Sequence, residues 1–238
     1  MKHSVMARAA QRQHTKKLLH IFYKSAYVSA VFIFLYTFPG IDELEITNFI
    51  FHMMVQHFLF ASSGFLILSL SEDIMQLILT SPRQSPRVSM LRAFYTRFLV
   101  LNKKLNWSGI PGLAGAAAIL GYWHIPDIFV NGTLDGLLHE VMHISFMILG
   151  GLVYLSVKQL SPPRRAVIAI AFGKVMLWAG LYLSQVSDYV YKLYPLSQHH
   201  DAGIITLVAA PLMDFAAVGY LVHTLISRGQ GVVIEQRR

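Results

Sequence analysis

Apolar stretches long enough to cross a membrane recur along this chain, and charge is almost confined to the gaps between them. A helix needs about 20 such residues to cross a ~30 Å hydrocarbon core, so the pattern points to a bundle of spanning helices. Spans are predicted near His20 to Phe38, Ile46 to Leu70, Ser108 to Tyr122, Gly136 to Val157, Ala166 to Val186 and Gly203 to Ile226. The third is the most interrupted, by Pro111 and by Gly109, Gly112, Gly115 and Gly121, residues that lipid tolerates better than water does. The expected fold class is all-α, a polytopic membrane helix bundle with about six transmembrane helices and the lipid bilayer as its surroundings. Composition agrees: a water-soluble domain of 238 residues, 55% hydrophobic and 13% charged, could not hide so much apolar surface.

Basic residues orient the bundle. Lys2, Arg8, Arg12, Lys16, Lys17 and Lys24 come first; Arg83, Arg87, Arg92, Arg97, Lys103 and Lys104 fill the second connection; Lys158, Arg164 and Arg165 fill the fourth; and Arg228, Arg237 and Arg238 end the chain. With six spans these lie toward one side, and of the 20 Lys and Arg only Lys174 sits deep within a span and Lys192 opposite. Cytoplasmic loops carry the excess of Lys and Arg, so both termini are expected in the cytoplasm, N-in and C-in. The other face is acidic, with Asp42, Glu43, Glu45, Asp127, Asp135, Asp188 and Asp201. A single transmembrane domain over 1–238 is expected, with a basic cytoplasmic segment 1–19 and a cytoplasmic amphipathic loop 71–107. Within that loop, 87–104 reads as an interfacial helix or a poor seventh span. The first apolar run ends in Phe38-Pro39-Gly40 with no small-x-small cleavage site, so it reads as a retained anchor.

There is no cysteine, which excludes disulfides, thiolate metal sites and iron–sulfur clusters. Any metal must be held by His, Met, Asp, Glu or backbone oxygen. The net charge of +8 has a sufficient source in cytoplasmic loops and gives no reason to invoke nucleic acid.

Ionisable groups inside a bilayer are costly and usually face a bundle interior, so each is a functional candidate. His3, His14, His20 and His223 lie on the cytoplasmic side, and the other seven of eleven histidines toward the outer one. His139 and His143 are four residues apart and project from one helix face, where both can ligate one ion. At about 1.5 Å rise per residue, His143 and His52 lie at one level, ~10 and ~9 Å below the outer ends of their spans. His57 is ~7.5 Å deeper than His52 and turned from it by about 140° on a regular helix, whereas Gln56 shares the face of His52. His52, His139 and His143 are therefore the expected first ligands; Gln56, His57 and His124 are further ligands, supporting partners or a second site. Glu140, beside His139, can orient an imidazole. Met53, Met54 and Met142 lie near these histidines, and imidazole with thioether but no thiolate suits copper, Cu(I) above all; the competing reading is ordinary methionine packing. For a single histidine, a hydrogen bond to a neighbouring helix is explanation enough. Several on separate helices at one membrane face favour a metal or cofactor site.

Lys174 and Asp214 are the charges deepest within spans, and a structural ion pair between the fifth and sixth is expected, with a proton path as its functional rival. Trp107, Trp123, Tyr189, Tyr191 and Tyr194 fit aromatic belts at the two interfaces.

The segment Phe51-His52-Met53-Met54-Val55-Gln56-His57-Phe58-Leu59 resembles the H-M-x-x-Q-H-x-L element of the CtaG family of cytochrome c oxidase assembly factors. Trp123-His124-Ile125-Pro126 is similar to that family's W-H-x-P ahead of an outer loop, and Leu138 to Phe146 to its following E-H-x-x-F helix. The family typically has seven spans and an acidic-Gln-Gln-x-x-Gly element; here Gln198-His199-His200-Asp201-Ala202-Gly203 stands in that place, so the chain resembles a divergent, short member. The resemblance implies an assembly factor in a prokaryotic plasma membrane that delivers copper to a haem-copper oxidase or helps build its copper centre. An oxidase subunit or a copper donor protein would be its partner, and no turnover would be required. Two other classes share part of the pattern: a histidine-box di-metal membrane oxygenase, and a cytochrome b-like electron-transfer subunit in which two of these histidines ligate haem b.

Overall fold

A computed structural model of the protein describes residues 2–79 and 85–235, with their side chains over 15–79 and 85–227. Lys2, Arg8, Arg12, Arg228, His3 and His14 lie outside the described side chains, and Arg83, Arg237 and Arg238 outside the described residues altogether. Helices follow one another as α1 (Lys2–Thr37), α2 (Ile41–Thr47), α3 (His57–Leu79, opened by a wider turn over Phe51–Gln56), α4 (Pro86–Leu105), α5 (Ile110–Trp123), α6 (Pro126–Leu134), α7 (Gly136–Gln159), α8 (Pro162–Gln185) and α9 (Leu196–Glu235). The described residues contain no strand, as expected where lipid cannot satisfy an open sheet edge.

Among the described residues five helices are long and apolar enough to cross a membrane: Thr15–Thr37, Phe51–Leu79, Gly136–Gln159, Pro162–Gln185 and Leu196–Ser227. The remaining expected span is a bent pair, α5 and α6, which meet at 75°. Pro126 opens α6 and keeps Ile125 extended (φ −69°, ψ 123°), because the residue before a proline is pushed out of the helical region. Counting the pair as one span gives six, and the chain is a multi-pass helical membrane protein. α4 is not among the candidate spans. Ser85 caps it by accepting from the Val88 amide at 3.3 Å, Pro86 fills its first turn, and none of its side chains is buried.

The pairing of α3 with α7 sets the centre of the bundle. A Cβ added at Gly64 would lie 1.9 Å from the Met147 carbonyl oxygen, and one added at Gly150 1.8 Å from that of Ala61. The two helices therefore approach backbone to backbone, as small residues allow in membrane bundles. α5 packs on the other side of α7. There buried Asn106 donates to Ser156 Oγ at 3.2 Å and accepts from the Gly112 amide at 2.9 Å. Polar clamps tie further pairs: Lys24 Nζ lies 2.5 Å from Asp73 Oδ2 between α1 and α3, and Glu72 on α3 accepts from Lys158 and Tyr154 on α7.

α8 and α9 form a hairpin joined at mid-span by the ion pair of Lys174 with Asp214. The hairpin grips the rest of the bundle where α9 begins. There Gln198 accepts from the Phe49 amide at 2.7 Å and donates to the Thr47 carbonyl at 2.9 Å.

Candidate metal centre

Asn48 ends α2 in an extended conformation, and its side chain accepts from the Phe51 amide at 2.9 Å, starting the next helix. That helix does not begin with regular geometry. Over Phe51–Gln56 the turn is a π-turn, and the His57 amide donates to the carbonyl of His52, five residues back. The wider turn stacks residues five apart, a feature that recurs at functional sites. A regular helix would point His57 away from His52; the π-turn instead brings the two rings to 5.0 Å, centre to centre, although the ligand group of His52, His139 and His143 leaves His57 out.

α7 brings the second pair. Asp135 caps it by accepting from the Leu138 amide at 2.9 Å, which fixes the first turns from which His139 and His143 project. Their rings are 4.2 Å apart edge to face, and His139 stacks at 5.4 Å on His52. One ligand nitrogen from each of His52, His139 and His143 lies within 4.8 Å of the others. These three thus come together from two helices. His57 completes a four-imidazole cluster by stacking 3.9 Å from Phe146, while His143 stacks 4.2 Å from Phe60.

Hydrogen bonds decide which nitrogens are free. The Tyr194 hydroxyl donates to the Glu45 carbonyl at 2.6 Å and lies 2.9 Å from His52 Nδ1. A hydroxyl has one proton, so toward His52 it must accept, and Nδ1 carries the imidazole hydrogen. His52 Nε2 is left with a lone pair and no protein partner. Burial, and then the charge of Glu45, hold the Tyr194 phenol above its ordinary range, so it stays a protonated donor. His139 Nδ1 faces the Thr133 carbonyl at 3.4 Å. Its Nε2 lies 2.8 Å from Glu45 Oε2 without the alignment of a hydrogen bond. The other Glu45 oxygen accepts from the Gln56 amide. Both nitrogens of His57 and of His143, and Gln56 Oε1, are buried with no hydrogen-bond partner.

Buried polar atoms are nearly always paired, and each exception calls for an explanation. An unpaired buried donor or acceptor costs about 1–3 kcal/mol. Several imidazole lone pairs converging in one place suit a transition-metal ion, which imidazole nitrogen binds well. The residues present fit such an ion: His52, His139 and His143 would hold it, with Tyr194 fixing the His52 tautomer in the way carboxylates and carbonyls do in known sites.

The other candidates are placed differently. His124 ends α5 with Nδ1 donating to the Leu120 carbonyl at 2.6 Å, outside the three-histidine group. Met142 is fully buried in the apolar core, with Sδ toward Gly132 beside Trp123. Met53 packs partly buried on that core, and Met54 sulfur receives the Thr206 hydroxyl at 3.9 Å. Glu140 is exposed and accepts from Tyr36 at 3.2 Å, away from the imidazoles. His199 is saturated, accepting from the Tyr191 amide at 3.0 Å and donating to the Pro195 carbonyl at 3.0 Å, and His200 donates to the Val186 carbonyl at 2.8 Å.

Two contributors escape a reading by sequence. Glu45 looks like one more acid of a wet loop, yet it is 5% exposed. Tyr194 looks like a belt aromatic, yet it is buried, as are Tyr191 and Trp123, whose indole donates to Ser145 at 2.5 Å. The one local signal for Glu45 is its place seven residues before His52, on the same side of the chain if the helix is continued.

A family model described as "Cytochrome c oxidase caa3 assembly factor (Caa3_CtaG)" matches residues 5–228, nearly the whole chain. No curated protein and no solved structure matches it.

Proposed function

Because the chain belongs to the cytochrome c oxidase caa3 assembly factor family, we propose that it handles copper for a haem-copper oxidase through the His52, His139 and His143 site. The observation that carries this reading is the convergence of three buried imidazoles from two helices, with ligand atoms within 4.8 Å of one another and the lone pair of His52 directed by Tyr194. Transfer asks for exchangeable binding through few protein ligands at an accessible face. The charge bias supports a site near the extracytoplasmic face, and the family supports a prokaryotic plasma membrane, where an oxidase subunit would take the ion from it and a copper donor would load it. The bound ion is cargo, and no residue is assigned catalysis.

Metal content of protein purified in mild detergent after growth with copper tests the reading. Wild type is expected to carry copper near one equivalent, and the H52A/H139A/H143A variant, folded by circular dichroism, to carry none. Equal copper in both would remove the site. A Soret band in wild type, lost in the variant, would replace copper by haem b.

A further inference from the structure

We propose that Glu45 is a fourth, anionic ligand of this centre, and that the cargo is therefore a divalent ion, Cu(II), rather than Cu(I). The inference rests on the copper reading above and specifies it. It starts from the contact of Glu45 Oε2 with His139 Nε2 at 2.8 Å. With Nδ1 turned to the Thr133 carbonyl at 3.4 Å, Nε2 faces a carboxylate oxygen. Such atoms are favourable neighbours when a positive charge is shared between them, a proton in the ion pair of the metal-free protein and a metal ion in the loaded site. A metal ion held by His139 meets that condition.

The placement of Glu45 is built. Its backbone carbonyl accepts from Tyr194, and its Oε1 accepts from Gln56, which lies one turn from His52 on the segment that carries it. Oε2 alone is directed to the imidazoles. The short helix α2 that carries Glu45 runs between Gly40, whose φ of +84° few other residues adopt, and the extended Asn48. Both ends of the ligand's own support are thus fixed by local chemistry.

Donor type then sets the oxidation state. Thiolate and thioether favour Cu(I), whereas imidazole with carboxylate suits divalent ions. Cysteine is absent, and the sulfur nearest in sequence to the α7 histidines, that of Met142, is turned toward Gly132. The carboxylate also cancels one of the two charges a divalent ion brings into a site otherwise made of neutral rings, which lowers the cost of placing it there.

The test compares wild type with E45Q, which keeps the shape and the backbone contact to Tyr194. Each is titrated in detergent with Cu(II), with Co(II) as a spectroscopic probe, and with Ag(I) as a stable monovalent soft ion. Wild type is expected to bind the divalent ions more tightly than Ag(I). E45Q should weaken them by about 10–100-fold, the range seen when supporting groups of metal sites are lost, shift the Co(II) visible bands, and weaken the singly charged Ag(I) by less. Unchanged Cu(II) affinity and Co(II) bands in E45Q would overturn the assignment, as would tighter binding of Ag(I) than of Cu(II) by wild type. H52A/H139A/H143A run in parallel separates the two readings: loss of metal there with none in E45Q removes Glu45 alone, and retention in both removes the site.

Discussion

The Tyr194 hydroxyl accepts from His52 Nδ1 at 2.9 Å while donating to the carbonyl of Glu45 at 2.6 Å. One phenol thereby fixes the tautomer of one imidazole and the position of the carboxylate beside the next. Y194F removes both contacts and keeps the ring in place. Metal affinity is expected to fall by about 10–100-fold, and the metal-free protein to unfold at lower temperature, since buried His52 Nδ1 and the Glu45 carbonyl each lose a partner. Isothermal titration and thermal unfolding in the same detergent read the two quantities. Unaltered affinity would show that the hydroxyl does not orient His52.

The close approach of α3 and α7 fixes the distance between His52 and His139. Replacing Gly150 by Val puts side-chain atoms where the Ala61 carbonyl already lies. Overpacking of this kind costs about 1–3 kcal/mol or more, and the helices must part. G150V is expected to lose metal binding and unfold at lower denaturant. G121V, at a position where an added Cβ meets nothing within 4 Å, is expected to behave as wild type.

The Lys174 and Asp214 pair sits at mid-span with the lysine side chain 54% and the aspartate 25% exposed. Removing the acid alone leaves a cation at a depth where Lys costs about 2.5–3.5 kcal/mol by insertion measurements. D214L is therefore expected to be less stable than the K174L/D214L double variant. Unfolding in mixed micelles of rising SDS fraction gives the order. A double variant as unstable as D214L would show that the pair does not couple α8 to α9.

Absence of cysteine makes the chain ready for topology mapping by single introduced thiols. With both termini in the cytoplasm, D127C is expected to react with a membrane-impermeant maleimide in intact cells, and R164C only after lysis. The opposite pattern would invert the orientation read from Lys and Arg.

Metal should also appear as stability. An ion that binds only the folded protein adds about 2.7 kcal/mol at 100 times its dissociation constant. Cu(II) is expected to raise the unfolding temperature of wild type and leave H52A/H139A/H143A unmoved; equal shifts would place the ion elsewhere.

How much of this a sequence can carry is clearest at α7. His139 and His143 follow regular geometry, so their spacing alone predicts that they face the same way, and their rings do lie 4.2 Å apart. His57 departs because the π-turn depends on how the segment is seated among its neighbours, which residue spacing does not encode. Pro126 shows a boundary plainly, yet the residues after it form helix α6 rather than a loop, since Pro is as well suited to a first helical turn as to a break. Glu45 and Tyr194 are hidden for another reason. An acid or a tyrosine between spans is usually wet, and only the packing of distant segments shows that these two are not. The helical spans were legible because lipid imposes the same rule on every helix, whatever its neighbours.

The centre is assembled from Glu45, His52, His139, His143 and Tyr194, and the last of these enters the membrane region only with the final hairpin. During synthesis the early helices can meet with their imidazoles undirected, and the tautomer of His52 is set only once residue 194 has left the ribosome. In the copper reading a nascent or truncated chain is thus expected to be a poor acceptor of ions, with loading deferred until the final hairpin is in place.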